Sequence, residues 1–179
     1  MPHEIETKII GIDAEKVKQI LSSLGAQKVL ETRFSVDWFR TKGNTANAWF
    51  LRVRTDSSGK AEVTWKGKHE NIGASRKVEE ISFTVDSTEK AAAFFAGIGL
   101  EKYAHQEKDR VSWALNEWRF DLDQYPGMAA FLEIEGKDQN HIQQAIKLLG
   151  LEGLETWPDG ERTLIEKKYG LNWYEMNFG

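Results

Sequence analysis

The chain has 179 residues, of which 29% are charged and 40% hydrophobic, with a formal net charge of −4 and no cysteine. That length suits a single domain, residues 1–179, with a core of its own. The charge balance argues against a general nucleic-acid or anionic-membrane surface, and the missing cysteines exclude disulfides, zinc fingers and thiol nucleophiles.

The N-terminus MPHEIETK has neither the basic start nor the apolar run of a signal peptide, and no stretch approaches about 18 apolar residues, so a soluble cytoplasmic protein is expected. Residues 3–11 alternate as a strand. DAEKVKQILSSLG then places Val17, Ile20, Leu21 and Leu24 at helical spacing, with Asp13 as N-cap and Gly25 as the stop. Residues 26–41, 48–55 and 60–67 read as strands, the last two joined by the turn DSSG, and ASRKVEEISFTV reads as another. A second helix follows in STEKAAAFFAGIG, with Ala91, Phe94, Phe95 and Ile98 as its apolar stripe. Three further strands are expected around 102–114, 117–124 and 129–136, then a helix from Asp138 to Leu149 carrying Ile142, Ala145, Ile146 and Leu149. A last helical segment is expected from Asp159 to Gly170. Eight mainly antiparallel strands with few helices give an α+β protein, a closed or nearly closed barrel with helices packed on its outside.

Side chains alternate across a strand, so parity divides each strand into two faces. One face carries Glu4, Glu6 and Lys8; Phe50, Arg52 and Arg54; Glu62, Thr64 and Lys66; Arg76 and Glu80; Lys108 and Arg110; Arg119, Asp121 and Asp123; Glu133 and Glu135. The other faces carry Leu51, Val53, Val63, Trp65, Ile81, Phe83, Val111, Trp113, Trp118, Phe120, Leu122, Leu132 and Ile134. For one strand this pattern describes an ordinary sheet with a wet face. Over seven strands the composition speaks against that, because eight acids meet eight bases on the charged faces while Thr, Ser and Gln are scarce there. If helices cover the apolar outside, the charges line the inside. Buried ion pairs seldom offset their own desolvation, so such a lumen calls for a charged ligand. Trp65, Trp113 and Trp118 are then expected to pack beneath helices, and Phe50 to point inward beside Arg52. His3, His69, His105 and His141 share no ligand spacing and read as surface residues, and Asp37 reads equally as a loop-pinning or turn residue and as a catalytic one.

EIETK is an ExExK signature; with LRVR, the Lys of TWKGK, the KDR of EKDRVSW, FDLD and FLEIEG, it resembles in order the CYTH superfamily, the triphosphate tunnel metalloenzymes. The resemblance runs from residue 4 to about residue 136, and the tail ERTLIEKKYG only loosely resembles the family's closing helix. It implies an eight-stranded antiparallel tunnel binding a triphosphate or nucleotide together with Mg²⁺ or Mn²⁺. Carried over residue by residue, Glu4, Glu6, Glu133 and Glu135 resemble metal ligands. Asp121 and Asp123 both have the right parity for a further one, and Asp123 is favoured. Lys8, Arg52, Arg54, Lys66, Lys108 and Arg110 resemble phosphate binders, with Arg76 on the same face. A second metal held by Glu6, Glu80 or Asp123 would orient and acidify the attacking water, and Arg52, Arg54, Lys66 and Arg110 would neutralise the leaving phosphate, so that Glu6, Glu80, Lys66 and Arg54 are the expected catalytic residues.

A triphosphate carries about four negative charges and is held by Arg forks, Lys point charges and oxygen-ligated cations, which suits this residue set. Hard carboxylates select Mg²⁺ or Mn²⁺ rather than zinc. The first expectation is metal-dependent hydrolysis of inorganic triphosphate or a small organic triphosphate. The alternatives are a class IV adenylyl cyclase, making cyclic AMP and pyrophosphate from ATP, and a non-catalytic polyphosphate- or nucleotide-binding module. No nucleic-acid surface or membrane partner is expected, and a homodimer is left open.

Overall fold

The computed structural model describes residues 3–43, 49–68 and 70–179; His69 and the His3 side chain, expected at the surface, lie outside the described residues. In chain order the elements are β1 (His3–Ile9), α1 (Ala14–Ser23), β2 (Gln27–Thr41), β3 (Phe50–Thr55), β4 (Ala61–Lys66), β5 (Glu70–Ile72) and β6 (Ser75–Val85). They continue with α2 (Thr88–Gly97), β7 (Leu100–Leu115), β8 (Trp118–Gln124), β9 (Phe131–Glu135), α3 (Gln139–Leu148), β10 (Thr156–Trp157), α4 (Glu161–Thr163) and β11 (Glu175–Met176). A π-helical turn, Leu164–Lys168, extends α4.

Eight of the strands close on themselves. The antiparallel order β1-β9-β8-β7-β2-β3-β4-β6 returns to β1 through the pairing of Glu4 with Val78 and Glu6 with Arg76. Closure removes the exposed edges that an open sheet of this size would leave. The short strands β5, β10 and β11 are added to this barrel, and β11 runs parallel to β7. Two- and three-residue strands have no period to read, which is why the sequence does not announce them.

The three longer helices start where their caps stand. Asp13 accepts the Lys16 amide at 3.0 Å, Ser87 that of Lys90 at 3.1 Å and Asp138 that of His141 at 2.8 Å. Val17 and Leu21 of α1, with Ile142, Ala145 and Ile146 of α3, pack on the outward face of Ile9, Phe120, Leu122, Leu132 and Ile134. Trp113 belongs to this cluster and Trp118 packs on it. The Trp118 indole stacks on the His141 ring at 4.5 Å and donates to the His141 carbonyl at 2.9 Å. His141 is therefore buried, contrary to the surface position expected of it, because an apolar ring face is what the indole requires there. Across the barrel Phe95 of α2 packs on Phe39, Leu51, Val53 and Val63, with Trp65 against the same cluster.

Three expectations change. The apolar stripe of α2 is only partly covered: Phe95 is buried while Phe94 and Ile98 face solvent, as do Ile81 and Phe83 on β6, so the helices do not cover the whole apolar outside. The lumen is not charged throughout, because β2 turns Phe34, Val36 and Trp38 inward; Trp38 stands opposite Arg52 and Val36 opposite Arg54. Last, the segment expected as one helix from Asp159 to Gly170 is a single turn followed by a π-helical turn, in which the consecutive residues Leu164 and Ile165 are both buried. They pack with Phe34, Val36, Trp38, Tyr125, Phe131 and Trp173 at the end of the tunnel where β1 and β8 finish.

A charged tunnel as candidate functional site

Antiparallel register brings the charged faces together. Glu6 stands opposite Glu135 and Lys8 opposite Glu133 between β1 and β9; Arg119 stands opposite Glu135 and Asp121 opposite Glu133 between β8 and β9. Arg110 faces Asp123 from β7, Arg54 faces Glu62 across β3 and β4, Lys66 faces Glu80, and Arg76 faces Glu6. Directly opposed residues point to the same side of a sheet. The result is a cavity of about 150 Å³ lined by Glu4, Arg52, Arg54, Lys66, Arg76, Glu80, Lys108, Arg110, Arg119, Asp121, Glu133, Glu135, Glu161 and Arg162, with Trp38, Phe50 and Trp173 as its aromatic wall.

Lys8, Glu6 and Asp123 are buried behind that lining. Glu6 accepts from Lys8 at 3.0 Å and from Arg76 Nε at 2.6 Å, and these cations hold its carboxyl well below the usual range although burial opposes them. Asp123 accepts from Lys108 Nζ at 2.8 Å and from both Arg110 Nε and Nη2 at 2.5 Å. Arg110 also donates to Asp121, so a bidentate fork is fixed by two acids. Of the two aspartates, Asp121 lines the cavity and Asp123 sits beneath it.

On the other wall Lys66 Nζ is 2.7 Å from both Glu4 Oε2 and Glu80 Oε2. Burial raises the Glu80 carboxyl, but the Lys66 charge and hydrogen bond, with Arg52, prevail and bring it down to about 2. Glu4 goes the other way: burial, then the charge of Glu6, with further repulsion from Glu80 and Glu133, raises it to about 8 against the pull of Lys66. Glu135 is raised too, chiefly by burial. Arg54, 2.8 Å from Glu62, is lowered to about 10 by burial and by Arg52 beside it.

Two groups stand out by lacking a direct ion pair among the described residues. Among the described residues Arg52 has no carboxylate within ion-pair distance, and its Nε is buried without a hydrogen-bond partner; its guanidinium rests 5.8 Å over the Trp38 ring. Glu135 has no hydrogen bond or ion pair among the described residues. Buried or half-buried polar groups left this way ask for an external partner. An anion suits Arg52, and a cation suits Glu135 with Glu4.

No three acidic or histidine side chains among the described residues converge closely enough to hold a metal ion. The donor chemistry nevertheless fits a hard dication. Glu4, Glu133 and Glu135 are oxygen donors facing one cavity, Glu6 and Glu135 are like charges opposed across β1 and β9, and the Glu4 carboxyl is raised by burial and then by the charge of Glu6.

The tail contributes what the sequence reading missed. Glu161 at the start of α4 accepts from Lys108 Nζ at 2.5 Å and from the Tyr125 hydroxyl at 2.6 Å. Lys108 and Lys8 hold its carboxyl well below the usual range, against burial. Arg162 donates to Tyr174 Oη at 2.5 Å and lies 5.5 Å over the Trp173 ring. Gly160 lets this segment approach closely, since a Cβ there would lie 3.3 Å from Arg76 Nη1. The available signal was WPDGER, a turn followed by an acid and a base, which alternation cannot rank. The remaining residues singled out earlier lie elsewhere: Asp37 pins His105 Nδ1 at 2.6 Å and Lys102 at 2.7 Å.

A closed antiparallel tunnel whose wall interleaves guanidinium and ammonium groups with carboxylates defines a receptor for a charged, oxygen-rich ligand. Residues 2–153 match the CYTH domain, and the chain belongs to the CYTH family, whose members are triphosphatases or adenylyl cyclases. Over 174 residues it is 29% identical to a Methanocaldococcus jannaschii protein provisionally named an adenylate cyclase, covering 93% of this chain and 95% of that one. The PH1012 protein of Pyrococcus horikoshii superposes with a TM-score of 0.71 at 25% identity, covering 85% of this chain and 94% of that one. A Hippeastrum protein, provisionally named an adenylyl cyclase and described as having a dominant triphosphatase activity, superposes with a TM-score of 0.67 over 99% of this chain and all of that one; at 15% identity this likeness is one of fold. Among the described residues no helix is long and apolar enough to cross a membrane.

Proposed function

We propose that residues 1–179 form one tunnel unit that hydrolyses inorganic triphosphate or a small organic triphosphate with the help of Mg²⁺ or Mn²⁺. The observation that carries this reading is the coexistence, in one cavity, of a guanidinium at Arg52 and a carboxylate at Glu135, neither of them in an ion pair among the described residues. A phosphate chain with its dication supplies both missing partners.

In this reading Arg52, Arg54 and Lys66 receive phosphate oxygens from one wall, and Arg110 and Lys108 from the other. Arg110 arrives pre-oriented, because Asp121 and Asp123 fix its fork and reduce what must be ordered on binding. Asp123 thus positions two cations rather than meeting the ligand. Glu4 and Glu135, with Glu133, Asp121, Glu80 and Glu6 near them, would hold the dication, which when bound would neutralise phosphate charge and acidify water. Phosphoryl transfer asks the protein mainly for position and charge stabilisation, which an interleaved wall provides.

A second reading, an adenylyl cyclase, draws on the aromatic wall. Trp38, Phe50 and Trp173 line the cavity, with Trp38 and Trp173 5.2 Å apart, and such rings can stack on a nucleobase. Purified protein with Mg²⁺ or Mn²⁺, offered triphosphate, thiamine triphosphate and ATP in parallel, separates the two by products. Orthophosphate release supports hydrolysis, cyclic AMP with pyrophosphate supports the cyclase, and turnover undiminished by chelator overturns the metal-dependent reading of both.

A further inference from the structure

The end of the tunnel beside Arg52 is walled by rings whose polar edges are unequally satisfied. Trp38, Phe50 and Trp173 line the cavity, with Trp38 5.2 Å from Trp173 and 6.3 Å from Phe50, the latter pair edge to face. Gln106, fully buried on β7, uses both ends of its amide here: its Oε1 accepts from Trp38 Nε1 at 2.8 Å, and its Nε2 donates to the Trp173 carbonyl. The two indoles are thereby fixed against each other, one by its ring N–H and the other by its backbone. Trp173 keeps its own Nε1 buried with no hydrogen-bond partner among the described residues. It is 1% exposed, and a buried donor left unpaired asks for an acceptor from outside the chain.

A bare phosphate chain makes poor use of such a wall. Its oxygens are served by the guanidinium and ammonium groups of the neighbouring strands, and it has no apolar face to bury against three rings. A planar heteroaromatic group uses both features: its face stacks on the rings, and an acceptor on its edge, a ring nitrogen or carbonyl, takes the indole N–H. The cations set its place along the chain. Arg52 lies 5.8 Å over Trp38 and Arg162 lies 5.5 Å over Trp173, so a phosphate held by Arg52 leaves the group it is esterified to beside the rings. Trp173 and Arg162 lie beyond the residues, 2–153, that match the CYTH domain, so the tail supplies this edge of the site in this chain. We infer, on the reading that the tunnel holds a phosphate chain, that Trp173 is a specificity-determining residue whose unpaired N–H, with the rings of Trp38 and Phe50, forms a subsite for a heteroaromatic group. The ligand is then an organic triphosphate rather than inorganic triphosphate, whether it is hydrolysed or cyclised.

The test compares tripolyphosphate, ATP and thiamine triphosphate by calorimetry on the full chain, with chelator present so that metal-dependent turnover does not consume them and circular dichroism to check that each variant is folded. ATP or thiamine triphosphate should bind the wild type about tenfold more tightly than tripolyphosphate, since stacking and one hydrogen bond together are worth about that factor. Trp173→Phe, which keeps a ring and loses the N–H, should weaken that ligand about three- to tenfold and change tripolyphosphate affinity less than about twofold. Phe50→Leu, at a half-buried position, should show the same selectivity, and it carries the test if the chain needs the indole to fold. The nuclear magnetic resonance signal of the Trp173 Nε1–H should move downfield with the organic ligand and stay in place with tripolyphosphate. Tripolyphosphate that fails to bind the wild type overturns the phosphate reading on which the inference rests. Tripolyphosphate bound as tightly as both organic triphosphates, or weakened equally with them in Trp173→Phe and Phe50→Leu, overturns the subsite alone. So does tripolyphosphate moving the indole signal, which would make phosphate its acceptor.

Discussion

Glu161 Oε1 lies 2.5 Å from Lys108 Nζ, so the first residue of α4 places a carboxylate on a tunnel cation. Lys108 keeps Asp123 at 2.8 Å as a second partner, and Tyr125 holds the other oxygen of Glu161 at 2.6 Å. Glu161 therefore competes with any anion that approaches Lys108 from the cavity. Glu161→Gln keeps the shape and a weaker hydrogen bond, removes the competing charge and leaves Lys108 paired to Asp123. Tripolyphosphate binding, measured by calorimetry, should tighten several-fold, while thermal stability falls by about 1–3 kcal/mol for the weakened buried bonds. Weaker binding in this variant would assign Glu161 to the ligand rather than against it.

Arg52 and Arg110 line the same cavity with opposite consequences for folding. Arg52 has no direct ion pair, only the longer-range attraction that helps Lys66 hold Glu80 low, so Arg52→Met should change the melting temperature little while lowering triphosphate affinity at least tenfold. Arg110→Met strands Asp121 and Asp123, and breaking such a buried pair costs about 3–5 kcal/mol. Chemical denaturation and calorimetry on both variants check the contrast. Equal destabilisation would mean that Arg52 has a partner in solution that the fold does not display.

The two acids that face each other across β1 and β9 should separate in the same manner. Glu135→Gln removes a charge that has no direct ion pair and whose attraction to Arg119 is outweighed by burial, so the fold should hold while metal-dependent turnover falls by about 10² or more, as when an electrostatic contributor to the transition state is lost. Glu6→Gln leaves Lys8 and Arg76 facing a neutral amide and should lower stability first. Titration of Mg²⁺ alone into each variant gives a readout apart from activity: heat lost in Glu135→Gln but kept in Glu6→Gln supports this division.

Parity made the tunnel wall legible. Glu4, Arg52, Arg54, Lys66, Arg110, Glu133 and Glu135 all line the cavity because alternation fixes a face and closure turns that face inward. Depth was not legible: Glu6, Lys8 and Asp123 share that parity but are buried behind the lining, since alternation says nothing about which charges pair beneath a surface. The apolar inner face of β2 escaped notice because Phe34, Val36 and Trp38 carry no charge to draw attention, although they shape the aromatic end of the cavity. Glu161 and Arg162 escaped because their position depends on a tail folding back over 53 residues onto Lys108 and 36 onto Tyr125, and no local period records such contacts.

The raised carboxyl of Glu4 makes stability depend on pH in a definite direction. In the fold it keeps its proton to about 8, raised by burial and by Glu6, whereas in the unfolded chain it ionises near 4.5. Between those values the folded state binds more protons than the unfolded state, so stability falls as pH rises through that window. Glu80 and Glu6, whose carboxyls are lowered, act in the opposite sense but below 4.5, outside the window. The melting temperature without metal should therefore drop by on the order of 5 °C between pH 5.5 and 8.5, given the few degrees per kcal/mol expected for a chain of this size. Glu4→Gln should flatten most of that slope, leaving the smaller part due to Glu135, which is raised in the same direction. Mg²⁺ favours the ionised carboxylate, so adding it should restore stability most at the alkaline end and release a proton on binding, visible as a calorimetric heat that depends on the buffer's ionisation enthalpy. Parallel pH profiles for wild type and Glu4→Gln would show that Glu4 is already ionised in the folded chain, and that its crowding is relieved without a cation.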